Sequence, residues 1–286
     1  KVDGLTPGHT HRFSLDNASQ SSYPNAWSGY QAVASYDQQA WFRVPSRFDG
    51  EALHFELQAT QPQAWFAYFE PYSRARHNQL IDRAQQLPGV ELLAHGRSVQ
   101  GRDIPLLRAG EGAPGKMNPD GAFLGHLRTN FKGQDLNRAW QSASVDTSPE
   151  VLFAQAQMKQ YGVDAFIDVH GDEEIPHVFT AACEGNPGYT PRLAKLEEQF
   201  RSTLCSITAD FQTSHGYTRD QPAQANMTLA CNAVGQQYDC LSLTLEMPFK
   251  DHDDAPNVQT GWSGQRSKDL AGAVLETLAK IARDLR

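Results

Sequence analysis

At residues 163–170 the chain contains the largely apolar run Val163-Asp164-Ala165-Phe166-Ile167-Asp168-Val169-His170. A strand that is covered on both faces has this near-continuous apolar character. The segment before it predicts a helix, because Ser148-Pro149-Glu150 supplies a cap, a first-turn proline and a first-turn acid. Gly162 ends that helix, and the strand follows at once. A helix followed by a buried strand is typical of an α/β fold.

The same alternation continues towards the C-terminus. Thr190-Pro191 begins a helix whose apolar residues recur at steps of three and four. Residues 241–247 alternate strictly between apolar and polar side chains and stop at Pro248. A final helix carries its apolar stripe from Leu270 to Leu285. We therefore predict an α/β fold with a mixed, mostly parallel central sheet flanked by helices.

The first 72 residues have a different character. Short strand-like segments, such as residues 40–44 and 52–57, are separated by turn residues. Residues 52–57 alternate with period two, which is typical of a sheet with one solvated face. We predict a small all-β sandwich domain over residues 1–72. An α/β domain should follow over residues 73–286, where Ser73 caps its first helix.

The composition excludes several classes of protein. Of the 286 residues, 25 are Lys or Arg and 33 are Asp or Glu, which gives a net charge of −8 at pH 7. A nucleic-acid-binding surface needs an excess of basic residues, so we expect no nucleic-acid partner. No apolar run approaches the ~20 residues of a membrane-spanning helix, so we expect no membrane association. The chain shows no secretory signal pattern, which favours a cytoplasmic protein.

Two side chains on predicted strands are candidates for chemistry. His170 ends the apolar strand, and α/β sheets bind ligands at the carboxyl ends of their strands. Glu246 is the lone acid on the strand at residues 241–247. Each residue also has a structural explanation. His170 could be a polar strand terminus bonded to a carbonyl group, and Glu246 could belong to a solvated polar face. A catalytic role requires both side chains to face one cleft.

Two arginines follow a turn in the middle of the chain. Met117-Asn118-Pro119-Asp120-Gly121 has the residue types of a turn, and Arg128 and Asn137-Arg138 come soon after it. A guanidinium group is a rigid fork that can hold a carboxylate through two hydrogen bonds. Arginines near a turn are usually solvated surface charges, so these two residues alone predict no site.

Five segments in a fixed order resemble the zinc metallocarboxypeptidases. They are Gly96-Arg97-Ser98-Val99-Gln100-Gly101-Arg102, Asn118-Pro119-Asp120-Gly121, Leu136-Asn137-Arg138, Asp168-Val169-His170 and Thr244-Leu245-Glu246. The N-terminal part, with Tyr23-Pro24-Asn25-Ala26-Trp27 and Trp41-Phe42-Arg43-Val44-Pro45, resembles the β-sandwich of the cytosolic carboxypeptidase subfamily, bacterial type. Each motif is weak by itself, whereas five motifs in the family order are specific.

The resemblance implies a function and a set of roles. One zinc ion, held by two histidines and one glutamate, would activate water and polarise the scissile carbonyl. His170 would be the last of these ligands along the chain. Glu246 would be the general base toward the attacking water and then the acid toward the leaving amine. Arg128 would stabilise the oxyanion. Asn137 and Arg138 would bind the terminal carboxylate of a peptide or protein tail.

The chain departs from the family pattern at one place. The family's first two zinc ligands come as His-x-x-Glu between the segment ending at Arg102 and Asn118, and this interval contains no histidine. A strand, a crossover helix and a second strand need about 30 residues or more, so residues 105–116 are too few. We expect a segment to be lacking between Lys116 and Met117. Its loss would expose the edges and apolar faces of neighbouring strands to water.

Two explanations of this gap lead to different functions. If the natural chain has a segment there, the protein is a zinc-dependent metallocarboxypeptidase. The residue that it removes could be glutamate, as in eukaryotic members, with Arg219 or Lys132 as candidates to bind that side chain. If the deletion is real, the protein is a catalytically inactive module that binds C-terminal carboxylates through Arg138. A deacylase of the aspartoacylase type is a third interpretation, which the motif spacing and the N-terminal β-domain favour less.

Overall fold

The structure is a computed structural model that describes residues 1–109 and 117–285. The strands in this part of the chain are β1 (Val2–Asp3), β2 (Thr10–Leu15), β3 (Val33–Ser35), β4 (Phe42–Arg43), β5 (Ser46–Phe48), β6 (Leu53–Gln58), β7 (Gln63–Ala67), β8 (Val90–Arg97), β9 (Asp103–Ala109), β10 (Ala165–Asp172), β11 (Phe179–Ala181) and β12 (Leu241–Pro248). The helices are α1 (Arg74–Ala84), α2 (Pro119–Leu124), α3 (Pro149–Tyr161), α4 (Pro191–Ile207), α5 (Ala230–Tyr238) and α6 (Gly264–Ile281).

Residues 1–67 form two small antiparallel sheets that share one core. The strand orders are β1-β7-β3-β4 and β2-β6-β5. Side chains from both sheets, such as Ala34 and Leu53, are buried in a single apolar cluster. An all-β N-terminal part agrees with the predicted fold class. The domain limits 1–72 and 73–286 remain predictions.

A three-stranded sheet, in the order β10-β12-β11, lies in the second half of the chain. β10 and β12 are parallel, whereas β11 is antiparallel to β12. α4 and α6 pack against one face of the sheet through an apolar cluster that includes Phe200 and Leu243. α5 covers the other face, together with side chains of α3. The predicted α/β fold with a mixed sheet between helices is confirmed. With one parallel and one antiparallel pairing, this sheet is less parallel than predicted.

The predicted helix starts are found, although not all of them are capped as expected. Ser73 and Thr190 each accept a hydrogen bond of 3.3 Å from an amide in the first turn of α1 and α4. Ser148 makes no such bond at α3. Glu150 of that helix is buried and accepts a hydrogen bond from the amide of Val99 at 3.2 Å, so it serves a tertiary contact. In residues 1–109 and 117–285, no helix has the length and apolar character needed to cross a membrane.

The strand that carries Glu246 is buried on both faces. Ser242 and Glu246 lie on the polar side of β12 and are 1% and 5% exposed. The Ser242 hydroxyl donates a 2.7 Å hydrogen bond to the carbonyl oxygen of Cys231 in α5, which covers this face. The solvated strand face that we considered for Glu246 is therefore wrong, because both polar side chains on this face are buried.

β10 is an edge strand in the described part of the chain. It pairs with β12 on one side, whereas β8 and β9 form a two-stranded sheet of their own. Val169 in β10 is 60% exposed, so the prediction that this strand is covered on both faces is wrong at that residue. An open edge beside an exposed apolar side chain is the result that we expect where neighbouring strands are lacking. The predicted gap itself begins at Lys116, which lies outside the described residues.

Candidate active site

His170 and Glu246 lie side by side on neighbouring strands. β10 and β12 run parallel and in register, with His170 opposite Glu246. Side chains alternate between the two faces of a strand, so residues at the same register position point to the same face. Both residues are close to the carboxyl ends of their strands. They therefore share one face at the end of the sheet where α/β proteins bind ligands, as a joint catalytic role requires.

Asp168 orients the imidazole of His170. Nε2 of His170 lies 2.8 Å from Oδ2 of Asp168. A carboxylate accepts hydrogen bonds, so Nε2 carries the proton, and in the neutral ring the lone pair is on Nδ1. Burial lowers the pKa of His170, but the hydrogen bond and charge of Asp168 and the charge of Glu246 outweigh burial and raise this pKa above its ordinary value. The charge of nearby Arg128 opposes that rise.

Glu246 is a buried carboxyl group that is poised to exchange a proton. Burial raises its pKa to about 7, and the charges of Asp172 and Asp168 act in the same direction, while His170 opposes them. Oε1 lies 3.2 Å from the hydroxyl of Tyr217, whose single proton is directed to the nearer carboxylate of Asp172. Oε2 is buried and has no hydrogen-bond partner among the described residues. A carboxyl group with a pKa near neutrality and one free oxygen suits general acid–base chemistry.

Tyr217 covers the carboxyl end of the sheet and was not predicted from the sequence. Its hydroxyl donates to Oδ2 of Asp172 at 2.6 Å and lies 3.2 Å from Glu246. Its ring packs edge-on against Phe179 of β11, with 4.9 Å between ring centroids. Burial and the hydrogen bond to Asp172 raise the pKa of Tyr217 well above its ordinary value. A tyrosine in a polar segment has no local pattern that could have indicated this position.

Arg128 and Arg138 are joined by one carboxylate. Oδ2 of Asp135 lies 3.3 Å from Nε of Arg128 and 2.5 Å from Nη1 of Arg138. Nη1 of Arg128 also donates to the hydroxyl of Tyr23 at 2.9 Å. Arg128 is close enough to His170 for the two charges to interact. The two arginines are therefore held as a pair, and Arg128 lies beside the strand ends, while their roles toward substrate remain predictions.

Asn137 has a structural contact of its own. Its side-chain oxygen accepts a 3.0 Å hydrogen bond from the amide of Ala230, the first residue of α5. Its own amide donates to Oδ1 of Asp135 at 3.0 Å. Asn137 therefore connects the turn that carries Arg138 to the helix covering the sheet. The predicted contact between Asn137 and a substrate carboxylate remains a prediction.

One His-x-x-Glu spacing does occur in the chain, and sequence reasoning overlooked it. It is His170-Gly171-Asp172-Glu173, at the end of β10. His170 is already the last ligand expected from the family pattern, so it cannot also supply the first. Residues three apart on an extended chain point to opposite faces, which disfavours a shared metal. This spacing therefore does not replace the pair expected between Arg102 and Asn118.

A separate group of side chains has the composition of a metal site. In the described residues, His177, His252 and Asp254 each place one ligand atom within 4.8 Å of the others. Nε2 of His252 lies 2.6 Å from the carbonyl oxygen of Asp210, and its Nδ1 lies 3.1 Å from the amide of Asp254. The carbonyl must accept and the amide must donate, so both nitrogens of His252 are engaged. The group is therefore a hydrogen-bond network. Its hydrogen bonds occupy the imidazole nitrogens of His252 that would otherwise bind a metal.

Comparisons with known proteins identify the family. Residues 1–69 match the family model described as the cytosolic carboxypeptidase N-terminal domain. A metallo-carboxypeptidase from Pseudomonas aeruginosa, solved in complex with (2-guanidinoethylmercapto)succinic acid, is 52% identical to this chain. The two structures superpose with a TM-score of 0.95, over 100% of this chain and 89% of that chain. The chain belongs to the metallo-carboxypeptidase family.

Two further proteins are similar to this chain. An uncharacterised protein of Zymomonas mobilis is 39% identical over 317 residues, which cover 95% of this chain and 83% of that protein. Cytosolic carboxypeptidase 6 of Caenorhabditis elegans is 27% identical over 46% of this chain and 30% of that protein. This metallo-carboxypeptidase is thus a hydrolase that acts on peptide bonds, as the motif order predicted.

Metallo-carboxypeptidases require a metal, and the residues around His170 fit that requirement in part. His170 offers Nδ1, and the free Oε2 of Glu246 lies on the same face of the sheet. In residues 1–109 and 117–285, however, His170 belongs to no group of three ligands within reach of one another. A catalytic zinc site has three protein ligands. The described residues therefore offer one candidate ligand and one candidate base, and not a complete metal site.

Proposed function

We propose that this metallo-carboxypeptidase removes the C-terminal residue of peptides or protein tails in a zinc-dependent reaction. The observation that supports this most strongly is the register of β10 and β12, which sets His170 beside a buried Glu246 with an unpartnered oxygen. In this proposal His170 is one of the zinc ligands. When bound, zinc supplies Lewis acidity toward water and the scissile carbonyl.

The protein's own residues handle the proton and the charges. Glu246 takes a proton from the attacking water and delivers it to the leaving amine. Its pKa of about 7 allows both steps near neutral pH. Arg128, fixed beside His170, offers its guanidinium group to the oxygen that becomes negative. Arg138 and Asn137 bind the substrate's terminal carboxylate, so that the cut falls one residue from the end.

The two remaining ligands are proposed to lie in a segment of the natural chain between Lys116 and Met117. The alignment with the Zymomonas relative spans 317 residues, more than the 286 residues of this chain. That relative therefore carries residues within the aligned region that have no counterpart here. The open edge of β10 and the separate β8-β9 sheet are also consistent with absent strands. Together these observations support a natural chain that contains a segment between Lys116 and Met117, rather than one that has lost it.

The mass of the protein from its native cells tests this part of the proposal. A mass larger than 31.7 kDa by several kilodaltons, with the extra peptides mapping between Lys116 and Met117, is the expected result. A mass of 31.7 kDa would instead mean that the deletion is real. In that case the second candidate function applies. The protein would bind C-terminal carboxylates through Arg138 and release no amino acid.

The preferred terminal residue is proposed to be glutamate. Arg219 lies two residues beyond Tyr217, which touches Glu246, and its Nε is 3.3 Å from Oε1 of Glu184. An acidic substrate side chain would replace Glu184 as the ion-pair partner of this exposed guanidinium group. The ligand named for the Pseudomonas relative contains two carboxylates and a guanidinium group. A basic terminal residue is therefore the alternative preference, and Glu184 would bind its side chain.

Release of free amino acid from three matched peptides, ending in Glu, Arg or Ala, tests both activity and preference. We expect zinc-dependent release, fastest from the Glu peptide. Arg219→Gln should lower kcat/KM for that peptide by about 10-fold or more, since a hydrogen bond to a charged group is lost. Lys132→Gln, the other predicted candidate, is the matched control and should change little. Faster release from the Arg peptide would contradict the glutamate preference alone.

The setting of this activity is also proposed. Relatives named cytosolic carboxypeptidases support a cytoplasmic location and a peptide C-terminus as partner. The net charge of −8 favours neither nucleic acid nor an acidic membrane surface as a partner. Cell fractionation with an antibody against the chain tests the location, and recovery in the membrane pellet after a high-salt wash would contradict it.

A further inference from the structure

The N-terminal β part of the chain packs against the ends of both site strands. Phe249, which directly follows β12, stacks on Phe69 with 5.1 Å between ring centroids. The same ring covers Gly171, the neighbour of His170. A Cβ at position 171 would lie only 2.5 Å from Phe249 Cζ. The buried Arg43 donates to the carbonyl oxygen of Phe249 at 2.8 Å. The N-terminal part therefore supports the backbone next to His170 and just beyond the strand that carries Glu246.

One polar side chain of the N-terminal part reaches the active site itself. The hydroxyl of Tyr23 accepts a 2.9 Å hydrogen bond from Nη1 of Arg128, across 105 residues of sequence. Oδ2 of Asp135 holds Nε of the same guanidinium group at 3.3 Å. These contacts occupy two of its three nitrogens, and among the described residues Nη2 has no hydrogen bond or ion pair, so it can meet a substrate oxygen. The charges of His170 and Glu173 both interact with Arg128, so the fixed guanidinium group lies beside the proposed metal ligand.

The backbone of Tyr23 is held by the N-terminal part, and its side chain is half-buried. Tyr23 immediately precedes a short 3-10 turn, Pro24–Trp27, and its carbonyl oxygen accepts from the amide of Ala26 at 3.1 Å. Trp27 at the end of this turn donates through Nε1 to the carbonyl oxygen of Ala18 at 2.9 Å. The Trp27 ring also packs edge-on against Tyr68, at 5.4 Å between centroids. The turn that carries Tyr23 is therefore tied to the core of the N-terminal part.

We propose that Tyr23 is a positioning residue for Arg128. The N-terminal β part thereby contributes a residue to the active site. This inference rests on the proposed function, in which Arg128 stabilises the developing oxyanion. Asp135 alone leaves the guanidinium group free to rotate about its contact at Nε, and Tyr23 fixes the second point. A donor that is held before the reaction stabilises a transition state without reorganisation. Small displacements of such groups reduce turnover strongly.

Steady-state kinetics of Tyr23→Phe test the inference, because this change removes the hydroxyl and keeps the ring. We expect kcat to fall about 10-fold while KM stays within about twofold, since the contact acts on the transition state. Arg128→Gln should lower kcat by about 100-fold or more. The double variant Tyr23→Phe/Arg128→Gln should be no slower than Arg128→Gln, because Tyr23 acts only through Arg128.

Tyr36→Phe is the matched control. Tyr36 lies in the same N-terminal part, and its hydroxyl accepts a 3.0 Å hydrogen bond from the amide of Thr60, away from Arg128. It should leave kcat unchanged. An unchanged kcat in Tyr23→Phe, an equal loss in Tyr36→Phe, or a further loss in the double variant would each overturn the inference while the wild type remains active. A wild type that releases no amino acid would overturn the proposed function and this inference with it.

Discussion

Replacing Glu246 by Gln should abolish catalysis and at the same time stabilise the metal-free protein. The carboxyl group is 5% exposed and lies near Asp168 and Asp172, so its ionised form is unfavourable in the folded state. Gln has nearly the same shape and no charge, and its side-chain amide can still contact the hydroxyl of Tyr217. The substitution therefore removes the unfavourable charge without opening a cavity.

The magnitude follows from the pKa of Glu246. Folding raises it from 4.5 to about 7. The folded state therefore holds a proton between these pH values that the unfolded state has lost, and wild-type stability falls as pH rises through this window. Each pKa unit corresponds to about 1.4 kcal/mol, so the full effect is about 3 kcal/mol above pH 7. Below pH 4.5 both states are protonated and the effect vanishes.

Urea denaturation with a chelator present, at pH 8 and near pH 4.5, measures the difference between wild type and Glu246→Gln. At pH 8 the variant should be more stable by about 3 kcal/mol with an unchanged m-value, and near pH 4.5 most of this gain should disappear. Glu174→Gln replaces an exposed glutamate at the same end of the sheet and should change neither curve. An equal gain at both pH values, or none at pH 8, would refute the reasoning, because the charge of Glu246 would then not be what burial disfavours.

Three further predictions concern binding and packing. Arg138→Gln should raise KM for peptides with a free C-terminal carboxylate by about 10- to 100-fold, measured by steady-state kinetics, with a smaller change in kcat. Asp120→Asn should destabilise the protein by about 3 kcal/mol in urea at pH 7, because the buried Asp120 pairs with Arg102 at 2.6 Å. Arg102 holds the pKa of Asp120 below its ordinary value against the opposing effect of burial, so this loss should shrink as pH falls through that pKa. Gly171→Ala should lower stability by about 1–3 kcal/mol in the same assay, because its Cβ would clash with the ring of Phe249.

Features that depend on local sequence could be predicted well. α4 begins after Thr190 and buries Leu196, Phe200 and Leu204, because a cap and a stripe at helical spacing are written in consecutive residues. That His170 and Glu246 lie on strands could also be inferred, whereas their position opposite each other is seen only in the folded sheet. For α4 the determining interactions lie within one helix.

Features that depend on distant contacts could not be predicted. Tyr217 reaches Glu246 from a polar segment, and Tyr23 reaches Arg128 across 105 residues, so neither leaves a periodic signal. Glu246 is 5% exposed although it lies on the polar side of an alternating strand, because that side is covered only in the folded protein. Val169 is 60% exposed and, within residues 1–109 and 117–285, β10 pairs only with β12, although the sequence of β10 is that of a covered strand. The local sequence pattern indicates which side chains favour burial. Contacts in the folded sheet determine which of them are buried.

The proposed reaction requires a cation and the carboxyl group of Glu246 to act together on the last peptide bond of a chain. The most direct test is the amino acid released by the full-length protein from a peptide with a free C-terminus and from the same peptide ending in an amide, with zinc and with a chelator. We expect release from the free acid in zinc, loss of release in the chelator and in Glu246→Gln, and none from the amide. Equal release from the amide, or undiminished release by Glu246→Gln, would contradict the account.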